Sequence, residues 1–510
     1  MPMIYLVLVV VPILAFFGCS EHARVEPLRV LSDFYDRSYI NDNIARGSSF
    51  FGTERYRFFS YYDTQGKVIV IRNGDEPDGI SRDQLDVGIR EDHNQTRSLL
   101  NPHNFISGGL DGLGRIHLVL GVHNGNPQHF VSRRPLRLGE WDQVGDWVVR
   151  AGQRMTYPYL LKNGSGDLWL FYRHGSAGRG STYLLTGLEG DVADWRPQLL
   201  IEGKGESSQY LFSPVASANG CVHLAWTWRL SNFSNHADNP YLRETFQGVT
   251  NRDISYAKTC DGGSTWTDSH GRVLKLPIDR LGSDESRAET IAEIDIGTGF
   301  FNHYGSDYDS NNQPHFVLHH WDNEKRTQIW HLYRGEKGWV SNQVSKYLKD
   351  IPWSRYHVNG LAGTPLARPE LLINRRDDSV LIITRSEHEI NRLELYFAAP
   401  PYSNWRKEVV DTGSLGGWEP QVDKGRYQAT HELDILLNVV RDDPVFAGFN
   451  QKLDPTQKME LERRARGETV TYPDYSILFP TEGNRLSMDG VRFAPGEAWI
   501  ARLHWSPFTK

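Results

Sequence analysis

The chain has 510 residues and a formal net charge of −7 with no basic run, which argues against nucleic acid as a partner. It carries 15 Trp, 23 Tyr and 47 Gly but 5 Met, a mixture suited to many short strands joined by tight turns. Its 3 cysteines are too few for a disulfide framework, so stability must come from a packed core.

Residues 1–18 are almost wholly apolar and end Ala15-Phe16-Phe17-Gly18 before Cys19. The run is too short for a comfortable membrane span and has the length of a signal-peptide core. Gly-Cys after such a core resembles a bacterial lipoprotein signal, with Cys19 as the lipidated residue. The expectation is an exported protein, held at the outer membrane or cell surface by a lipid anchor, with plain secretion as the alternative. Residues 19–50 then form an N-terminal segment, and 51–510 the main domain.

Along that domain one unit recurs: an apolar strand, a turn rich in Gly, Asp or Asn, and a second apolar strand. It occurs at 56–72, 101–123, 156–173, 209–229, 300–321, 367–386 and 418–441. Such a period is that of propeller blades, each a small sheet packed on its neighbours. The fold expected is all-β, a seven-bladed β-propeller. Weaker strand pairs between the units end in Trp141, Trp195, Trp266, Trp339 and Trp405, which are expected to pack between blades. Thr259-Cys260-Asp261-Gly262-Gly263-Ser264-Thr265-Trp266 matches the Asp-box hairpin of sialidase-like (BNR) propellers, a structural device that says little about chemistry. The charged segment 454–466 reads as a surface helix, and a strand around 497–505 is expected to close the ring.

A strand pair that turns back on itself brings its two ends to one rim of the sheet. Two adjacent units therefore place His103 near His123, and Tyr157 near Arg173. Two imidazoles, a phenol and a guanidinium on one rim make a proton-transfer site with an anion clamp. By the same reasoning Arg252 and Tyr256, at the entry to the Asp-box hairpin, and His303 and Arg368 on the rim are candidate substrate contacts. Cys221 and His223 share one face of a strand and would form half of a zinc site if His174 or His236 completed it. The alternative is a buried thiol beside a half-exposed imidazole.

Over roughly residues 50–510 the chain resembles the BNR-repeat polysaccharide lyases, in particular the seven-bladed ulvan lyases of marine bacteria. The resemblance rests on Pro102-His103-Asn104 with His123 downstream, and on Tyr157-Pro158 with Tyr172-Arg173 at the end of the next hairpin. It implies β-elimination in a uronate-containing, sulfated polysaccharide such as ulvan, cut between rhamnose 3-sulfate and a uronic acid. It places catalysis on His103, His123, Tyr157 and Arg173. His103 is then the base, Tyr157 the acid (or both acid and base for one epimer), and His123 a carboxylate contact or second base. Arg173 faces the uronate carboxylate, and Asn104 assists. No cofactor is needed for elimination, although some relatives hold a structural metal, so zinc or calcium stays open. The partner expected is the anionic polysaccharide, met by a monomer. Two other readings remain: a sialidase-like glycoside hydrolase, and a glycan-binding lipoprotein without catalysis.

Overall fold

The computed structural model describes residues 23–31, 48–63, 67–74, 80–88, 104–120, 123–231, 250–348, 366–389, 391–410, 412, 415, 418–439, 481–482, 485–486 and 497–505. Cys19, His103, His236 and the expected helix at 454–466 lie outside the described residues.

Within these residues the chain is built from antiparallel sheets. The strands Phe50–Gly52, Tyr56–Tyr62, Lys67–Gly74 and Ile80–Gly88 run side by side in chain order. Ser107–Leu110, Ile116–Leu120, Gln128–Ser132 and Trp141–Gln143 repeat that order, as do the sheets beginning at Ser306–Tyr308 and Glu370–Asn374. Another sheet orders Ala23–Leu31, Glu497–Trp505, Leu433–Val439 and Gln421–Val422, joining the two ends of the chain. Ala23 pairs with Trp505 and Leu31 with Ala498, so the terminal strand closes the ring against the N-terminal one. An all-β propeller is what the sequence led us to expect.

The expectation of seven blades is corrected: the described residues form five four-stranded blades, and the further sheets have six, seven and two strands. The enlargement has a local cause. After the Asp-box hairpin the chain crosses back, and Ile278–Asp279 pairs in parallel with Gln198–Glu202 of the preceding sheet. At the opposite edge of that sheet His123–Gly125 is added beside Met155–Lys162. Both additions arise from connections that the repeat does not include.

One device builds many of the turns. Asp111 Oδ1 accepts from the amides of Leu113 and Arg115 at 3.0 and 2.7 Å. Asn163 does the same for Ser165 and Asp167, Asp309 for Asn311 and Gln313, and Asp322 for Glu324 and Arg326. A short side-chain acceptor satisfies two turn amides that the ladder leaves open. The Asp box is a variant. Asp261 accepts from the Thr265 amide and the Thr259 hydroxyl, both at 2.9 Å, while Gly262 and Gly263 take positive φ. Trp266 is fully buried over this turn, and its Nε1 donates to the Gly263 carbonyl at 3.2 Å. Burying such a ring contributes about 4–6 kcal/mol of apolar transfer.

The core lies between the sheets. Trp266 packs with Trp169, Phe171 and Trp226 from two neighbouring sheets. Trp141, Trp195, Trp339 and Trp405 occupy the same kind of position in other clusters. Ring closure is sealed by Phe59, Ile383, Trp418 and Leu436 in one cluster drawn from three sheets. Cys221 and Cys260 form a disulfide with Cα atoms 4.0 Å apart, next to the pair Val222 and Thr259. No described helix is long and apolar enough to cross a membrane.

Candidate active site

Three adjacent strands of the six-stranded sheet bring the predicted groups together. Thr156 pairs with His123 on one side and with Arg173 on the other. The ladder then breaks: the register shifts between Thr156 and Tyr159, and Tyr157 adopts φ +55. For a residue other than glycine this conformation costs about 1–3 kcal/mol. The bulge turns the Tyr157 ring into a cluster with Phe105 and Tyr210.

The guanidinium of Arg173 lies 4.7 Å from the Tyr157 ring centre and 5.1 Å from that of Tyr210. Arg173 is 4% exposed, and its Nε and Nη1 have no hydrogen-bond partner among the described residues. A buried guanidinium with donors to spare is an anion clamp awaiting its anion. His303, at φ +63, sets its ring edge to face with Tyr157 at 4.3 Å between centroids. Its Nδ1 is 3.1 Å from the Leu211 carbonyl and 3.2 Å from the Tyr159 hydroxyl. A carbonyl partner requires Nδ1 to carry the proton of the neutral ring.

Electrostatics separate the groups. Burial, and then the charge of Arg173, lower His123 to about 4, so its imidazole is neutral near pH 7. His303 is held well below the ordinary range by burial and by Arg368. Burial raises the Tyr157 phenol, aided by Tyr210 and opposed by the charges of Arg173, Arg229 and Arg368. Tyr210 goes the other way: burial would raise it, but Arg173, Arg229 and hydrogen bonds from Arg173 and Ser208 outweigh that and lower it. Of two touching phenols, one keeps its proton firmly and the other releases it more readily.

The remaining predicted residues fall in different places. Asn104 is fully buried, accepts from the Tyr62 hydroxyl through its carbonyl at 2.7 Å, and precedes Phe105 of the aromatic cluster. Arg368 is buried, with Nε 2.8 Å from Glu419, and its charge reaches Tyr157 and His303. Arg252 pairs with Asp253 at 2.7 Å, one residue beyond Asn251. Tyr256 is not brought to the rim. Its hydroxyl is 2.7 Å from His223 Nδ1, and its ring packs between sheets against Trp339 and Phe316.

The metal expectation at Cys221 and His223 is corrected. A sulfur held in a disulfide offers no thiolate, and His223 is engaged by Ser217 at 3.0 Å and by Tyr256. His174 lies elsewhere, its Nδ1 at the Arg154 backbone, and no group of three or more metal-ligating side chains occurs among the described residues.

Sequence reasoning assigned no role to Tyr210 or Arg229. Arg229 donates Nη1 to the Tyr210 hydroxyl at 3.1 Å and Nε to Asn251 Oδ1 at 2.8 Å. The signal was present: Tyr210 and Arg229 open and close their unit as Tyr157 and Arg173 do the one before.

Fold and rim together define a β-propeller whose face carries a buried site of phenols, imidazoles and guanidinium groups. More particularly, residues 56–347, over half of the chain, match the BNR repeat-containing family, and the protein belongs to it. Among curated proteins it is similar to Ulvan Lyase-PL25 of Pseudoalteromonas sp. (strain PLSV), 24% identical over 243 residues, 41% of this chain and 44% of that one. It is also similar to an ulvan lyase of Nonlabens ulvanivorans, 23% identical over 198 residues, 34% of this chain and 40% of that one. The matched region spans less than half the length of either. Among solved structures, a PL25 ulvan lyase bound to -[GlcA(1-4)Rha3S]- superimposes with a TM-score of 0.59 at 15% identity, covering 80% of this chain and 93% of that one. The polysaccharide lyase Uly1 gives 0.56 at 16% identity, covering 79% and 88%. At these identities the structural likeness establishes the fold.

Proposed function

We propose that the protein is a polysaccharide lyase that cleaves a uronate-containing, sulfated polysaccharide, ulvan by preference, through β-elimination. The observation that carries this reading is Arg173: a buried guanidinium with donors unpartnered among the described residues, stacked on two phenols and beside a neutral imidazole. The similarity to ulvan lyases supports it.

The chemistry follows from these groups. The C5 proton of a uronate is weakly acidic, because the adjacent carboxylate already bears charge. Arg173, by donating two hydrogen bonds to that carboxylate, stabilises the dianionic intermediate. A neutral base removes the proton, the C5–H electron pair forms the C4–C5 double bond, and the bond from C4 to the bridging oxygen breaks. The departing oxygen takes a proton from Tyr157, which burial keeps protonated. His103 is the base, with His123 as carboxylate contact or second base, and Asn104 adds a polar contact. No cofactor takes part. Arg252 and Arg368 bind outlying parts of the polymer.

The protein acts as an exported monomer, anchored through a lipid on Cys19. The apolar run before Cys19 supports export, and so does the Cys221–Cys260 disulfide, since such bonds persist in oxidising compartments.

The test is to offer the purified protein ulvan and other uronans. Unsaturated uronyl ends, seen by ultraviolet absorbance, are expected. Reducing ends without that absorbance would mean a hydrolase, and unaltered polymer a binding protein.

A further inference from the structure

A buried hydrogen-bond chain runs from a turn to the hairpin that carries Tyr157 and Arg173. Asp111, His117 and His129 are fully buried, and Trp147 nearly so. His117 Nε2 is 3.3 Å from Asp111 Oδ2, and its Nδ1 is 3.0 Å from His129 Nε2. Trp147 Nε1 is 3.4 Å from His129 Nδ1. The order of donors is fixed. An indole N–H only donates, so His129 Nδ1 accepts, and the proton of its neutral ring sits on Nε2. That proton goes to His117 Nδ1, which leaves the His117 proton on Nε2, facing the Asp111 carboxylate. Burial lowers both imidazoles, so both are neutral near pH 7.

The same pair recurs in another blade and goes no further. His315 Nδ1 is 2.8 Å from His331 Nε2, and His315 Nε2 is 3.7 Å from Asp309, but His331 Nδ1 has no partner among the described residues. The imidazole pair is thus a device of the blade, and the link to Trp147 sets the first one apart. Trp147 belongs to the short helix Asp146–Arg150, which leads into Met155–Lys162. It meets Tyr172 edge to face at 5.9 Å, within a cluster that includes Met155. The Tyr172 hydroxyl bonds to the Gln153 side chain, and the Gln153 amide donates to the Val148 carbonyl at 3.1 Å. Tyr172 adjoins Arg173, and Met155 lies two residues before Tyr157. The chain therefore ends against both strands of the catalytic hairpin.

We propose that His129, oriented by His117 and Asp111, is a positioning residue for Tyr157 and Arg173: it holds Trp147, and through Trp147 and Tyr172 the two strands that carry the phenol and the guanidinium. Its effect on turnover rests on the lyase reading, whereas its hold on the strands does not. His129 itself lies on Gln128–Ser132, outside the hairpin that it steadies. Small displacements of reacting groups cost rate steeply, so a support of this kind acts on catalysis without touching the substrate.

The experiment compares wild type with His129→Leu, which loses both ring nitrogens, and with His129→Gln, whose amide can accept from Trp147 and donate to His117. Amide hydrogen exchange is followed by mass spectrometry, and turnover of ulvan by ultraviolet absorbance. His129→Leu should speed exchange at residues 155–157 and 171–173 but not at Glu370–Asn374. It should lower kcat by about tenfold to a hundredfold with KM nearly constant. His129→Gln should restore most of both. Unchanged exchange in the hairpin, or equal effects of the two substitutions, would overturn the proposal. A check in wild type is independent of how any variant folds: the imidazole nitrogen shifts in the NMR spectrum should place the proton on Nε2 of both His117 and His129, and a proton on Nδ1 of either would overturn it. If wild type releases no unsaturated product, the lyase reading fails, and the exchange rates alone decide the positioning.

Discussion

Tyr157, on the strand Met155–Lys162, and His303, in the loop just ahead of Ser306–Tyr308, both hold positive φ angles, +55 and +63, and their rings meet edge to face at 4.3 Å. Two strained residues braced against each other fix the direction of the phenol without a hydrogen bond between them being needed. Strain of this kind persists only where the surroundings over-determine it.

Replacing Tyr157 by Phe removes the proton donor and keeps the ring packing. Turnover of ulvan should fall by about a hundredfold to ten-thousandfold, the range for loss of a general acid. The melting temperature should change little. Retained activity would remove Tyr157 from the chemistry.

His303 is a positioning residue by this geometry. His303→Ala leaves Tyr157 without its brace, and the expected signature is a fall in kcat with KM nearly constant. His303→Asn, which tolerates positive φ and keeps a donor for the Leu211 carbonyl, should recover part of the loss. Steady-state kinetics of the two variants check this, and a change confined to KM would contradict it.

The Cys221–Cys260 disulfide closes a loop of sequence separation 39. Constraint of the unfolded chain by a loop of that size is worth about 3–4 kcal/mol. Cys221→Ser with Cys260→Ser, or reduction, should lower the melting temperature while leaving kcat near that of wild type, since the bond lies away from the rim. Calorimetry with and without reductant measures it.

Acid should destabilise the fold before it protonates most carboxylates. Burial lowers His320 and His388 to about 4, as it does His123, and His223 to about 3. Burial also lowers His117, His129 and His331. In the unfolded chain these imidazoles take up protons near about 6.5. Their contribution is therefore complete above that pH and is lost as pH falls toward the folded values. Asp423, raised by burial to about 6, runs the other way: its contribution is present at low pH and is lost as pH rises through 6. The imidazoles are more numerous, so urea midpoints should fall from about pH 7 to about pH 4. A flat or rising profile would contradict this balance.

Local chemistry made much of this legible in advance. Asp111, Asn163 and Asp309 announce their turns, because the acceptor and the amides it satisfies lie within four residues. Tyr157 and Arg173 sit at the two ends of one hairpin, so antiparallel pairing alone brings them together. Other features depend on distant partners. Nothing near Ile278 indicates that it joins Ile201 in parallel, which is why the six-stranded sheet looked like an ordinary blade. Cys221 and Cys260 face each other only once their strands are in register, so His223 seemed the closer companion. Tyr210 and Arg229 carried the same pattern as Tyr157 and Arg173, but which phenol the second guanidinium would touch is set by packing between sheets.

The pairing of Ala23–Leu31 with Glu497–Trp505 bears on how the molecule is made. On the ribosome the early strands emerge long before the partner that will cover them. Until then the nascent chain is an open arc with raw edges at both ends, vulnerable to pairing with a neighbour. Completion of the circle waits on Glu497–Trp505, and a chain truncated before Glu497 would leave Ala23–Leu31 without its mate.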